Sequence, residues 1–341
     1  MRHEHVYSSA ARLFERAERL LAEQYHYQSV TWLGRRVLAA LLVGWTLAAV
    51  SLAQSDSDRP QQTVRVAAVS FVPKKFDLQG NADRLERLFR EAKKGGAEIA
   101  VAPEGALEGY VVNEIIAGKV SAEKMNEVAL PIDHPVIQRF QGLAAELDMC
   151  LVFGFAERIG EDVFNCAAFV DNKGHICGKY HKMQLAEGYH PSWWFNRLGK
   201  RSRAFDTPFG RCGIMICNDR WNPLLAKIPV LDGAQFLVIP AMGSRSTSQD
   251  EAVLNRGKEN AVPIVEANVG VTLVVDQGEI CAIDRHEEGI TFGQITIPPA
   301  AAQPDQRDNV EREFLDWRAA EMQRRYEKTQ KRLRKKKSRE S

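Results

Sequence analysis

The sequence predicts one α/β domain of about 240 residues in which helices cover a sheet core. Three observations lead to this prediction. Apolar, β-branched segments alternate with segments of helical periodicity from Val64 onward. Hairpin signals such as Asn172-Lys173-Gly174 interrupt the alternation. The 341-residue chain is 45% hydrophobic and 26% charged, which supplies enough apolar mass for one large core.

The predicted strands are short apolar runs, and several of them are bounded by glycine, proline or asparagine. The runs are 64–69, 98–102, 150–156, 163–171, 176–181, 211–217, 235–240, 263–268, 271–276 and 279–284.

The predicted helices carry apolar residues at three- and four-residue spacing, and two of them have clear end signals. Gly95-Gly96 follows the first helix, as is typical of a C-terminus. Asn222 and Pro223 form an N-cap and a first-turn proline. The helices cover 81–94, 135 to about 148, a segment from 222–223 onward, and 250–261.

A basic tail follows the domain. Residues 324–341 hold ten Lys or Arg and two Glu, a charge of +8, so the rest of the chain carries −6 toward the formal total of +2. Residues 309–337 are predicted to form one long charged helix. Such a run is typical of a solvated tail, and it also occurs on surfaces that contact anionic lipid or nucleic acid. A nucleic-acid partner is not expected here.

An apolar segment, 37–53, precedes the domain. It follows Arg35-Arg36, shows no polar face and ends in small residues. These features favour a secretory signal or a membrane anchor, and hence an exported or membrane-associated protein, with the bacterial periplasm as the expected compartment. A buried core helix in a cytoplasmic protein is the alternative. The expected organisation is an amphipathic extension (1–33), the signal-like segment with a polar linker (34–62), the domain (63–300) and the tail (301–341).

The six cysteines exclude two classes of protein. No CxxC pair or Cys/His array has zinc spacing, so no metal and no cofactor are expected. The chain is also too long and too apolar to need a disulfide scaffold. The cysteines are Cys150, Cys166, Cys177, Cys212, Cys217 and Cys281.

Three reactive side chains stand at or just beyond the ends of predicted strands. Glu104 follows the strand in AEIAVAPE, Lys182 follows the strand in ICGKYHK, and Cys217 ends GRCGIMIC. Open α/β sheets place ligands at such strand ends, so we expect a carboxylate, an amine and a thiol at one edge. Taken singly, these residues are more often a cap, a solvated lysine and a core cysteine.

Together the three side chains fit nucleophilic catalysis. A thiol attacks poorly until it loses its proton, which Glu104 could accept. Lys182 and backbone N–H groups from Asn218 onward could hold the negative charge that develops during attack on an amide or nitrile carbon. The sharp turn after Cys217 would present the sulfur, as in a nucleophile elbow.

These motifs resemble the nitrilase, or carbon–nitrogen hydrolase, superfamily over residues 63–298. GGAEIAVAPEGALEGY resembles its glutamate motif, GKYHKMQLAEG its lysine motif and GRCGIMICNDRW its cysteine motif. The resemblance implies an αββα sandwich, four-layered on dimerisation, with no metal. It also implies a Glu104, Lys182 and Cys217 triad that forms a covalent thioester or thioimidate, and a homodimer or higher homo-oligomer.

Three further residues are candidates for substrate binding: Glu187, Asn218 and Arg220. Many members of the superfamily carry a second glutamate shortly after the lysine, and Glu187 is the nearest match; a turn residue before Gly188 is the alternative. The ICNDR string resembles N-carbamoyl-D-amino-acid amidohydrolases, which carry a second arginine that is absent here. Arg220 either holds an acidic group of the substrate or only pairs with Asp219.

The expected function is hydrolysis of a non-peptide C–N bond, amide or carbamoyl, of a small molecule. Nitrile hydrolysis by the same triad is the first alternative. Acyl transfer to an amine, as in multi-span lipoprotein acyltransferases, is disfavoured because this chain shows a single candidate span, 37–53. A catalytically silent binding module is disfavoured by the complete triad.

Overall fold

The computed structural model describes residues 62–340, and most of these residues fold around two β-sheets. The predicted extension and the signal-like segment 37–53 therefore lie outside the described residues. The strands are β1 (Thr63–Ser70), β2 (Ile99–Val101), β3 (Cys150–Ile159), β4 (Asp162–Val170), β5 (Ile176–His181), β6 (Phe205–Thr207), β7 (Gly210–Ile214), β8 (Phe236–Ala241), β9 (Ile264–Asn268), β10 (Val271–Asp276), β11 (Glu279–Asp284) and β12 (Gly289–Thr296).

Each sheet has six strands with a partly parallel centre. The first sheet has the order β12-β1-β2-β3-β4-β5, and the second has β11-β10-β9-β8-β7-β6. Within them β1, β2 and β3 run parallel, as do β7, β8 and β9. The carboxyl ends of the parallel strands lie together at one edge of each sheet. Residue 104 follows β2 at this edge of the first sheet, and residue 217 follows β7 at this edge of the second.

Helices cover the outer face of each sheet, which confirms the predicted αββα sandwich. α1 and α3 pack on the first sheet in one apolar cluster, and α4 and α5 pack on the second. The helices are α1 (Leu78–Lys94), α2 (Val112–Ile116), α3 (Pro135–Leu147), α4 (Pro223–Leu231), α5 (Thr247–Asn260) and α6 (Pro304–Glu340).

The central strands of the first sheet, β1, β2 and β3, are buried on both faces over most of their length, as their apolar sequences require. In β1, Val66 and Ala68 pack between the sheets, whereas Ala67 and Val69 pack under the helices. This alternation follows from the two-residue period of a strand. Every residue from Val66 to Val69 is consequently fully buried.

Local signals explain where the helices begin. Asp77 caps α1 by accepting a hydrogen bond from the Gly80 N–H at 3.1 Å, so the helix starts at Leu78 rather than at the predicted Asn81. Asn222 caps α4 by accepting from the Leu224 N–H at 3.0 Å, with Pro223 in the first turn, as the sequence predicts.

Further differences from the sequence-based expectation concern the end of one strand and the presence of another. The predicted strand 211–217 ends at Ile214, and Cys217 instead opens a 3₁₀ turn, Cys217–Trp221. Strand β12 was not predicted, yet it pairs antiparallel with β1 along its whole length, from Thr63–Thr296 to Ser70–Gly289. Its sequence, GITFGQIT, carries two glycines and no continuous apolar run, so the partner strand determines its conformation.

The basic tail is helical and is anchored by its first half. Helix α6 begins five residues before the predicted start and buries Phe314 and Met322. Glu311 fixes it to the domain by pairing with Arg203 at 2.7 Å and by accepting from the Ser202 N–H at 3.2 Å. Among residues 62–340, no helix combines the length and hydrophobicity that a membrane span needs.

We predict that Gly154→Ala destabilises the domain. A Cβ at residue 154 of β3 would lie 2.7 Å from the Cα of Glu104 and from the Pro103 carbonyl oxygen, so backbone must shift. The expected loss in the free energy of unfolding is about 1–3 kcal/mol, measured by urea denaturation.

Gly142→Ala is the matched control, because a Cβ at this exposed position of α3 would meet nothing within 4 Å. It should raise the unfolding free energy by about 0.5–1 kcal/mol, since alanine favours a helix. Equal effects of the two substitutions would contradict the close approach of β3 to Glu104.

Candidate active site

The three predicted reactive side chains come from both sheets. Glu104 lies three residues beyond β2, and Lys182 directly follows β5 in the same sheet. Cys217 lies three residues beyond β7 in the second sheet. The site therefore forms where the ends of the two sheets meet.

Glu104 and Lys182 form a fully buried ion pair. The Lys182 Nζ lies 2.6 Å from the Glu104 Oε1, and both side chains are 0% exposed. Asn165 Nδ2 donates to the same oxygen at 2.7 Å, and the Met242 N–H donates to Oε2 at 3.1 Å. Burial is the largest influence and lowers the pKa of Lys182, but the charge of Glu104 and the smaller contributions of neighbouring acidic groups together raise the pKa of the ammonium above its ordinary value.

The segment after β8 joins Glu104 to Cys217. Met242 holds the Glu104 carboxylate through its N–H, and the next residue, Gly243, lies against the sulfur. A Cβ on Gly243 would be 2.9 Å from Cys217 Sγ, so a larger residue would crowd the nucleophile. The charges of Glu104 and Lys182 both act on the thiol. The structure thus brings the carboxylate, the ammonium and the thiol together.

The Cys217 thiol is protonated at neutral pH. Burial raises its pKa to about 12, and the charge of Glu104 adds to this rise, whereas Lys182 and Arg220 lower it. Only 6% of the residue is exposed. Because a thiol becomes a good nucleophile only as a thiolate, catalysis by this sulfur would require a nearby base.

The turn at Cys217 is strained and is held by Asp219. Cys217 has φ +47°, in the left-handed region that non-glycine residues rarely adopt. The Asp219 carboxylate accepts from the Ile216 N–H and from the Tyr180 hydroxyl, both at 2.9 Å, and from the Gln184 N–H at 3.0 Å. Asp219 therefore fixes the nucleophile turn to the loop after Lys182.

Arg220 pairs with Glu266, so the expectation that it only pairs with Asp219 is wrong. The Asp219 oxygens are already occupied by the three donors named above. Arg220 Nη1 binds the Glu266 carboxylate, and Nη2 lies 3.9 Å from Cys217 Sγ. Gln249 Nε2 holds the other Glu266 oxygen at 2.6 Å. Arg220 is thus a buried cation beside the thiol, and contact with an acidic substrate stays a prediction.

Asn218 and Glu187 flank the same site in different ways. The Asn218 side chain donates to the Gln184 carbonyl at 3.0 Å and accepts from Arg325 at 3.1 Å, so it is used within the protein. Glu187 Oε1 accepts from the Tyr110 hydroxyl at 2.5 Å. Its Oε2 is buried and has no hydrogen-bond partner among residues 62–340. Glu187 therefore has a buried carboxylate with a side-chain partner, and it does not serve only to form the turn before Gly188.

A link runs from Glu187 to the triad through Tyr110. The Lys182 Nζ lies 5.7 Å from the centre of the Tyr110 ring, within the range of a cation–π contact. Tyr110 is not among the residues that the sequence predicts for the site, because a tyrosine in a loop carries no signal of its own.

Glu108 is a second residue near the site that the sequence motifs do not predict. It is 5% exposed and accepts a hydrogen bond from the Ala156 N–H at 3.1 Å. Burial raises its pKa to about 7, and the neighbouring charge of Glu104 contributes. Its position four residues after Glu104, in a loop that folds back on itself, could have suggested a nearby site.

One cluster among residues 62–340 could offer metal ligands. Glu157, Cys166 and His181 place one donor atom each within 4.8 Å of one another. Glu157 already binds both His181 and the Lys179 Nζ, the latter at 2.5 Å. These two contacts account for its buried charge and give it a structural role.

The fold and the site together define a class of enzyme. The carbon–nitrogen hydrolase family model matches residues 65–301. The chain therefore belongs to the carbon–nitrogen hydrolase family, and it is a hydrolase of C–N bonds.

Two curated relatives and one solved structure illustrate the similarity. An N-carbamoylputrescine amidase of Oryza sativa subsp. japonica is 33% identical over 219 residues, which are 62% of this chain and 68% of the relative. A bifunctional nitrilase/nitrile hydratase of Nicotiana tabacum is 29% identical over 55% of this chain and 56% of its own length. The amidase from Nesterenkonia sp. AN1 in complex with acrylamide has the same fold, with a TM-score of 0.60 at 21% identity over 75% of this chain and 99% of that one.

We predict that Glu108 makes stability depend on pH. Its pKa of about 7 in the folded protein exceeds the ordinary glutamate value, so the folded state keeps a proton that the unfolded chain loses. The free energy of unfolding should therefore fall as the pH rises from roughly 4.5 to 7, by on the order of 3 kcal/mol from this group. Glu108→Gln should remove this part of the fall in urea denaturation curves measured across that range.

Glu161→Gln, at an exposed hairpin position, is the control and should keep the wild-type profile. Parallel profiles for wild type and Glu108→Gln would show that Glu108 does not titrate in this way.

Proposed function

We propose that the enzyme hydrolyses the amide or carbamoyl C–N bond of a small molecule through a thioester on Cys217. The observation that carries this proposal is the buried Glu104–Lys182 ion pair beside a protonated thiol. The names of the rice relative and of the Nesterenkonia structure, both amidases, support it.

The first half-reaction forms the acyl enzyme. Glu104 accepts the thiol proton as the sulfur of Cys217 attacks the carbonyl carbon. The carbonyl π electrons move to the oxygen, where the Lys182 ammonium and backbone N–H groups of the Cys217–Trp221 turn hold the negative charge. The C–N bond then breaks, and the nitrogen leaves with the proton that Glu104 returns to it.

The second half-reaction releases the product. Water attacks the thioester carbon while Glu104 accepts a water proton. The C–S bond breaks, and the sulfur recovers a proton from Glu104. The Glu187 Oε2, buried and without a partner among the described residues, is placed to accept a hydrogen bond from the substrate N–H, with Tyr110 fixing the other oxygen.

Nitrile hydrolysis is the second candidate, because the tobacco relative is named a nitrilase/nitrile hydratase. The same attack on a nitrile carbon would give a thioimidate. Comparing an amide with the nitrile of the same carbon skeleton separates the two activities.

Three earlier expectations stay predictions. Homodimerisation is favoured by the 42% exposure of Trp221 and Trp317, which line one surface cavity of 370 Å³. Export or anchoring through 37–53 concerns residues outside 62–340. The substrate-binding roles of Asn218 and Arg220 depend on a bound substrate.

We predict that Cys217→Ser and Glu104→Gln each lower ammonia release from amides and N-carbamoyl compounds by at least about 10²-fold, because one removes the nucleophile and the other the base. Wild type should also convert an amide to a hydroxamate in the presence of hydroxylamine, which captures the thioester. Cys281→Ser, at an exposed and unpaired cysteine, is the matched control and should keep full activity. Equal ammonia release by wild type and Cys217→Ser would refute the proposal.

We also predict that Glu104→Gln leaves Cys217 open to alkylation. The charge of Glu104 raises the thiol pKa, so its removal should shift the pH profile of alkylation by iodoacetamide to lower pH. Mass spectrometry of the Cys217 peptide across a pH series measures this profile. An upward shift would mean that Glu104 does not act on the thiol through its charge.

A further inference from the structure

A cavity of 690 Å³ lies between helix α6 and the loop that carries Glu187. Its wall contains one carboxylate, that of Glu187, and six cationic side chains from successive turns of α6. The lining residues are Asn113, Ala186, Glu187, Arg324, Arg325, Lys328, Thr329, Lys331, Arg332 and Lys335.

Four of these cations have no compensating charge. Arg324 and Arg325 pair with Glu321 at 2.7 and 2.6 Å. The side chains of Lys328, Lys331, Arg332 and Lys335 form no ion pair or hydrogen bond with any of residues 62–340. Like charges crowded into a concave surface focus a positive potential, which attracts an anion.

The cavity adjoins the active site on two sides. Arg325 donates to the Asn218 side chain at 3.1 Å, and Asn218 directly follows the nucleophile Cys217. On the other side Glu187 accepts from Tyr110, whose ring faces the Lys182 ammonium at 5.7 Å. Asn218 therefore lies between the cavity wall and Cys217, and Tyr110 lies between the cavity wall and Lys182.

Helix α6 packs closely against this loop. A Cβ on Gly188 would lie 2.1 Å from the Tyr326 backbone nitrogen, so backbone meets backbone here. The Tyr326 ring also packs on His190 and Trp193, with centroids 4.9 and 5.4 Å apart. The basic turns of α6 are consequently held beside the active-site loop and form a wall of the domain.

We propose that this cavity binds the anionic end of the substrate, a carboxylate or phosphate group carried on the same molecule as the scissile C–N bond. The proposal rests on the hydrolysis proposed above and narrows its substrate class to anionic amides or carbamoyl compounds. A concave site shared with Glu187 and next to Asn218 fits a small molecule better than a polymer, which would need an extended surface.

The test measures binding to the Cys217→Ala protein, in which substrate stays intact. Titration calorimetry compares a series of monoamides of dicarboxylic acids, from succinamate to adipamate, with neutral alkyl amides and amine-terminated amides of equal length. The proposal expects the best anionic monoamide to bind at least about tenfold tighter than either counterpart, as a charge-assisted contact provides. Introducing Lys328→Gln and Arg332→Gln into the Cys217→Ala protein should remove this preference for anionic monoamides.

Arg334→Gln is the matched control, because it removes an exposed charge of α6 that does not line the cavity. It should leave the preference for anionic monoamides intact. Equal binding of all three series would overturn the proposal. So would a preference that Arg334→Gln weakens as much as the cavity substitutions do, or binding of DNA or of anionic phospholipid vesicles with no binding of any monoamide.

Turnover by wild type separates this proposal from the hydrolysis proposal. Charge-dependent binding of a monoamide to the Cys217→Ala protein, together with no ammonia release by wild type, would refute hydrolysis and still support the anion site. Ammonia release that is insensitive to substrate charge would support hydrolysis and overturn the anion site.

Discussion

The buried contact between Glu104 and Lys182 is the constraint around which the site is organised. Two charges with no exposure to water are costly to bury, and such a pair is retained only when each charge has close partners. Asn165 and the Met242 N–H supply those partners for the carboxylate. Because Met242 follows β8 of the second sheet, the full set of partners requires strand ends from both sheets to meet at one point, and the sandwich provides that geometry.

The turn that carries Cys217 is held by a second set of interactions. Cys217 lies in an unfavourable backbone conformation that Asp219 stabilises through contacts with Ile216, Tyr180 and Gln184. Since Gln184 belongs to the loop after Lys182, the same contacts fix the thiol relative to the ammonium. The pair and the turn are thus joined by one set of buried hydrogen bonds, and such contacts hold side chains in the geometry that catalysis needs.

The sequence was sufficient for the sandwich and for the meeting of Glu104, Lys182 and Cys217, because these depend on buried apolar strands and on short local motifs. The sequence did not predict which residue pairs with Arg220. Glu266 lies 46 positions further along the chain, whereas Asp219 is adjacent in sequence, and local reasoning favours the adjacent residue. Strand β12 was not predicted because its conformation also depends on a distant partner. It pairs with β1, which lies more than 200 residues earlier in the chain. Glu108 and Tyr110 became visible only through burial and contacts.

The near-complete enclosure of Cys217 has a consequence for selectivity and durability. With 6% of the residue open to solvent, only the slender end of a molecule can reach the sulfur, so folded polypeptides are excluded on size alone. Oxidants such as peroxide react with thiolates far faster than with thiols, and here the resting sulfur keeps its proton. The enclosure of Cys217 and the proton on its sulfur therefore both protect this thiol from oxidation.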